Sequence, residues 1–125
     1  MITQALTALG ITEWVLRGTP ASEAEFLTMF SKVTGADSNG TAIESTDPAD
    51  WGFNVADVFA KAAELEAAEP LRLLRAERDR LIAETDWWAS SDLTMTPEQT
   101  AYRQALRDIT ASYTSLDDVV WPVKP

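Results

Sequence analysis

Apolar residues recur at the spacing of an amphipathic helix across residues 54–84. Pro70 lies in the middle of this stretch, and proline lacks the amide hydrogen that a helix interior needs. The stretch therefore predicts two consecutive helices, 54–68 and 70–84. Their apolar positions are Val55, Val58, Phe59, Ala62 and Leu65 in the first helix, and Leu71, Leu74, Leu81 and Ile82 in the second.

Two further helices are predicted where a Thr-Pro pair precedes residues with helical apolar spacing. The pair at 19–20 predicts a helix over 20–34, because threonine caps a first turn and proline is tolerated there. The Thr-Pro-Glu-Gln sequence at 96–99 has the pattern of a capping box and predicts a helix over 97–111. The apolar positions are Phe26, Met29, Phe30 and Val33 in the first of these helices, and Ala101, Tyr102, Ala105, Leu106 and Ile109 in the second.

Two short segments have the composition of strands. Residues 13–17 lie between glycines, and residues 41–45 follow a sequence rich in turn residues. We interpret them as candidate strands of a small β-hairpin. The predicted fold class is mainly α, with about four helices, this strand pair and an extended C-terminal tail.

The chain contains neither cysteine nor histidine, which excludes disulfides, thiol nucleophiles, histidine triads and thiolate or imidazole metal sites. The Asp-Ser-Asn-Gly sequence at 37–40 resembles the start of a calcium loop. Its glycine comes too early and no glutamate closes the loop, so a turn is expected instead. Asp117 and Asp118 make a poor acid–base pair, because neighbours on an extended segment point to opposite faces. We expect no metal, no cofactor and no catalytic residue, and interpret the protein as a non-enzyme.

The formal net charge is −10, from 20 acidic and 10 basic residues. Residues 1–68 contain ten acidic and three basic residues, and residues 69–125 contain ten and seven. Nucleic-acid phosphates and anionic membrane surfaces repel so acidic a chain, so neither is expected as a partner. No apolar run has the length of a membrane span or the form of a signal peptide, and a cytosolic location is expected.

The adjacent pair Trp87 and Trp88 is a candidate for partner binding, because tryptophan is enriched at interfaces. Neighbouring side chains cannot both point inward on a regular element, so at least one indole is expected near the surface. The alternative is that one indole packs in the core and the other is half-exposed, with no partner involved.

Four arginines alternate with acidic residues in the predicted helix 70–84. The pairs Arg75/Asp79 and Arg80/Glu84 have the spacing of ion pairs within a helix. This pattern is typical of a surface helix with local ion pairs, and the alternative is a site for an acidic partner. The four arginines are Arg72, Arg75, Arg78 and Arg80.

The C-terminal tail, residues 115–125, combines β-branched residues, one tryptophan and two prolines. This composition favours an extended segment and disfavours a helix. Trp121 and Pro122 can pack on the tail's own domain or dock on a partner, and the sequence leaves both alternatives open.

Four segments occur in a characteristic order: LRAERDRLIAETDWW at 74–88, LTMTPEQ at 93–99, YRQALRDI at 102–109 and WPVKP at 121–125. This series, from about residue 73 to 125, resembles bacteriophage tail fibre assembly proteins, also called phage tail assembly chaperones. The positions that fall on the family pattern are Arg75, Glu77, Arg78, Asp79, Leu81, Asp86, Trp87, Tyr102, Arg103, Leu106, Arg107, Trp121 and Pro122.

The resemblance implies a non-enzymatic chaperone that binds a tail fibre or related tail protein in the bacterial host cytoplasm during phage assembly. The alternative is a structural virion component, such as a tail, baseplate or fibre-associated subunit, that stays in the particle. Residues 1–70 are then a variable part that selects the client, and residues 71–125 the chaperone-like module. The sequence predicts neither the client nor the oligomeric state. The expected partner-binding residues are Trp87, Trp88, Arg75, Arg78, Tyr102, Trp121 and Pro122.

Overall fold

The computed structural model describes residues 1–125 and contains five α-helices and a small antiparallel sheet. The chain forms two compact units, Met1–Glu66 and Ala67–Pro125, with the boundary inside the longest helix. The prediction of a mainly α fold is confirmed. The elements are α1 Ile2–Ala8, β1 Trp14–Leu16, α2 Glu23–Met29, β2 Phe30–Ala36, β3 Ala42–Ser45, α3 Val55–Ala83, α4 Pro97–Arg107 and α5 Ile109–Ser112, with 3-10 turns at Pro48–Asp50 and Asp86–Ala89.

The sheet has the order β1-β2-β3, so the predicted pairing of 13–17 with 41–45 is wrong. Both predicted strands exist, but each pairs with β2, which lies between them. Trp14 is opposite Lys32 at one edge, and Ala42 is opposite Ala36 at the other. The predicted turn at 37–40 joins β2 to β3, and the carboxylate of Asp37 accepts hydrogen bonds from two backbone amides within it.

The predicted helix 20–34 is also wrong at both ends. The helix begins after Ser22, whose Oγ accepts the amide of Glu25 at 3.2 Å, and it ends at Met29. Phe30 adopts an extended conformation, and the chain continues directly into β2. Pairing on both sides overrides the helical spacing of these residues, because a central strand satisfies its backbone on two partners.

Helix α3 is continuous through Pro70, so the predicted break between 54–68 and 70–84 does not occur. Pro70 removes one amide donor to the carbonyl of Glu66, and both residues are exposed. Water can therefore bond to the carbonyl that proline leaves free. The flanking Ala, Leu, Glu and Arg residues are strong helix formers, which favours continuation on both sides.

Aromatic side chains dominate the core of the first unit. Phe26 stacks on Phe30 with a centroid distance of 4.8 Å, and Trp51 meets Phe30 edge-on at 4.7 Å. The indole nitrogen of Trp51 donates to the carbonyl of Ser45 at 3.0 Å, so its polar atom is satisfied. The buried residues of this core are Ala5, Leu6, Phe26, Phe30, Trp51, Val58 and Ala62.

Glu13 is the one non-glycine residue with a positive φ, at 57°. Its carbonyl accepts the amide of Val33 at 2.7 Å, and the ammonium group of Lys32 bonds to the carbonyl of Thr12 next to it. These contacts hold a left-handed conformation that disfavours a residue with a Cβ.

We expect Glu13→Gly to have a higher free energy of unfolding than Glu13→Ala by about 1 kcal/mol, because glycine adopts positive φ without strain. Both variants remove the same carboxylate, so the comparison isolates the backbone. Urea denaturation of the two variants measures the difference. Equal midpoints would show that the left-handed conformation carries no strain.

Candidate partner-binding surface

The second unit has a small aromatic core formed by Trp88, Tyr102 and Leu106. Tyr102 and Leu106 lie four residues apart on α4 and therefore share one face. The helix starts as predicted, with a capping box between Thr96 and Gln99, but the predicted span 97–111 is interrupted at Asp108, after which α5 begins. Half-buried side chains pack around this core: Leu81, Ile82, Met95 and Trp121.

Arg103 is a buried charge beside this core, with 6% of its surface exposed. Its Nη1 donates to the hydroxyl of Thr85 at 2.7 Å and to the carbonyl of Ile82 at 3.1 Å. Its Nη2 contacts the carboxylate of Asp86 at 3.1 Å. The Nε atom is buried without a hydrogen-bond partner. The guanidinium thus connects α4 to the end of α3 and to the turn that carries the tryptophan pair.

The two adjacent tryptophans differ in exposure, and one indole lies at the surface as expected for neighbouring residues. Trp88 is 5% exposed and belongs to the core, whereas Trp87 is 61% exposed. Their rings are 6.2 Å apart at an interplanar angle of 75°, an edge-to-face contact. The buried ring of Trp88 therefore packs against the exposed ring of Trp87.

Residues 113–125 contain no helix or strand, and part of this tail contacts its own unit. Trp121 is half-buried against the aromatic core, and Pro122 is also half-buried. Lys124 lies 5.8 Å from the ring centroid of Trp88, and its Nζ is 3.8 Å from Glu84. Val120 and Val123, which flank the Trp121-Pro122 pair, are 71% and 90% exposed.

The predicted arginine candidates lie on α3 and are not part of the aromatic core. Arg78 is mostly covered and pairs with Asp79 at 2.9 Å, while Arg75 is exposed without an ion pair. Of the two predicted ion pairs, Arg80/Glu84 forms at 3.0 Å and Arg75/Asp79 does not. Arg80 also donates to Glu77 at 2.6 Å, and this hydrogen bond holds the pKa of the Glu77 carboxyl below its ordinary value.

Arg103 is the important residue that the helical spacing did not identify. The predicted face of α4 included Ala101 and Ala105, which are exposed, and the buried face contains Arg103 in their place. Arg103 lies three residues before Leu106, at a position on the inward face, but a charged residue there looks like a break in the apolar pattern. The acceptors supplied by Ile82, Thr85 and Asp86 explain its burial.

No group of three or more acidic side chains is arranged to hold a metal ion. No helix is both long and apolar enough to cross a bilayer.

Thr85→Val removes the hydroxyl acceptor of the buried Arg103 guanidinium while keeping the shape of the side chain. We expect the free energy of unfolding to fall by about 2 kcal/mol, because a hydrogen bond to a charged group is lost in a buried place. Thr100→Val, on the exposed side of α4, is the matched control and should change stability far less. Equal losses in urea denaturation would show that the Arg103–Thr85 contact adds nothing.

Burial of Tyr102 raises the pKa of its phenol above the ordinary value, Glu84 raises it further and Arg80 opposes the shift. The folded state therefore binds the phenolic proton more tightly than the unfolded state, and stability falls as pH rises above about 10. We expect Tyr102→Phe to lose stability less steeply with rising pH in this range. Tyr113→Phe is the control, and urea midpoints on both sides of this pH give the comparison. Parallel curves for wild type and Tyr102→Phe would contradict the shift.

Residues 71–125 match the family described as phage tail assembly chaperone protein. No curated protein and no solved structure matches the chain significantly. The matched residues contain the aromatic core, the Arg103 contacts, the tryptophan pair and the tail. The resemblance predicted from about residue 73 onward is thereby confirmed, and the C-terminal part of the chain is similar to phage tail assembly chaperones.

Proposed function

We propose that this protein is a non-enzymatic chaperone of phage tail assembly, which binds a tail fibre or related tail protein in the host cytoplasm. The family match over residues 71–125 supports the class of function. Residues 1–70 then select the client, and the C-terminal module provides the contact that its relatives share.

The exposed indole of Trp87 is the main reason for proposing that the client binds at this surface. A tryptophan that is 61% exposed on a folded unit leaves a large apolar ring in water. Its edge-to-face contact with Trp88 restricts the ring, which lowers the side-chain entropy lost when a partner covers it. An exposed aromatic ring on a rigid support has the properties of an interface hot spot.

A tagged chain, expressed in bacteria that produce the phage tail, tests the proposal by affinity capture and mass spectrometry. We expect the wild type to recover a tail fibre or other tail protein. Trp87→Ala should reduce the recovered amount at least about tenfold, with little change in melting temperature, because the ring is exposed.

Leu93→Ala provides the control, since Leu93 is an exposed apolar residue of the second unit, at 48%, with no assigned role in binding. It should leave capture unchanged. Failure of the wild type to recover any tail protein would contradict the proposed function. Recovery that survives Trp87→Ala would leave the function intact and show that the client contacts another surface.

A further inference from the structure

Eight of the ten basic side chains have a polar partner within the chain, and Arg75 and Arg107 do not. Arg107 lies in the last turn of α4, where a cation is favoured by the negative end of the helix dipole. Arg75 has no such explanation. It is exposed in the middle of α3, away from either helix end, and forms no ion pair.

Arg75 lines a shallow groove of about 570 Å³ on α3. Leu71 and three alanines give the groove an apolar surface, and Asp79 lies at its end. The carboxylate of Asp79 contacts Arg78 through Oδ1 only, so its Oδ2 is free to accept another donor. One groove therefore has a cation without a partner and, four residues away, an anion with a free oxygen.

The charge around this groove differs from that of the remaining chain. Residues 67–83 contain four basic and three acidic residues, whereas the other residues contain six basic and seventeen acidic ones. Two copies of a chain with a net charge of −10 repel each other over most of their surface. Around the groove on α3 the basic and acidic residues nearly balance, so this repulsion does not act there.

We propose that this groove binds a second copy of the same chain, with the two α3 helices antiparallel about a two-fold axis near Glu77. Arg75 of each copy then meets Asp79 of the other, which gives two reciprocal ion pairs. Such self-complementarity is what a two-fold interface requires. The free Oδ2 of Asp79 can accept a charge-assisted hydrogen bond from Arg75 of the other copy.

The apolar lining fits the same arrangement. Leu71 and Ala76 of each copy lie within the overlapping segments, before and after Arg75. The overlap from Leu71 to Ala83 is about 20 Å long at the rise of an α-helix. Small side chains allow helix axes to approach to about 8 Å, which brings the reciprocal charges within contact. This inference is independent of the identity of the tail protein.

Sedimentation equilibrium of the full chain over a concentration series tests the proposal. We expect a reversible dimer whose dissociation constant rises at least about tenfold in Arg75→Glu and in Asp79→Arg. The double variant exchanges the two charges on every copy and restores both pairs. It should return to within about threefold of the wild-type constant.

Arg107→Glu is the matched control, because it makes the same charge change at the other arginine without a partner, and it should leave the dimer unchanged. Circular dichroism of each variant checks that the exposed substitutions preserve the fold. A wild-type chain that stays monomeric throughout the series would overturn the proposal. So would a dimer that is indifferent to Arg75→Glu, or a double variant no better than the single ones.

Discussion

The second unit depends on the buried guanidinium of Arg103. A helix end leaves its last carbonyls without amide partners, and at the end of α3 the carbonyl of Ile82 receives the amide and hydroxyl of Thr85 and the Nη1 of Arg103. The positive charge is balanced by Asp86, whose carboxylate is 63% exposed. Burying a charge is unfavourable unless it is paired and hydrogen-bonded, so these contacts fix where α4 lies against the turn after α3.

The orientation of the tryptophan pair follows from that turn. Thr85 is fully buried and Asp86 faces the guanidinium, so the next two residues have little freedom. Trp88 enters the aromatic core beside Tyr102, at a centroid distance of 6.0 Å, and Trp87 is left outside. The exposure of Trp87 is therefore a consequence of the polar contacts made by the two residues before it.

Local signals predicted part of the fold correctly, and the failures came from contacts distant in sequence. The Thr96–Gln99 capping box depends on four consecutive residues, and the helix starts where it was expected. Residues 30–34 of β2 were predicted as helix because their spacing is helical and the two sheet partners lie elsewhere in the chain. In the candidate site, the exposure of one of the two tryptophans follows from adjacency, whereas the role of Arg103 depends on acceptors eighteen and seventeen residues away.

The two units differ in the aromatic side chains that they expose to a partner. In the first unit every tryptophan and phenylalanine is buried or half-buried, and most of them contact one another. Its surface is instead acidic, with ten acidic residues against three basic ones through Glu66. The aromatic ring that is mostly exposed, Trp87, belongs to the second unit. Apolar recognition by an aromatic residue is therefore available on the part that matches the chaperone family, while the first unit presents charge, which selects among partners and steers their approach more than it adds affinity.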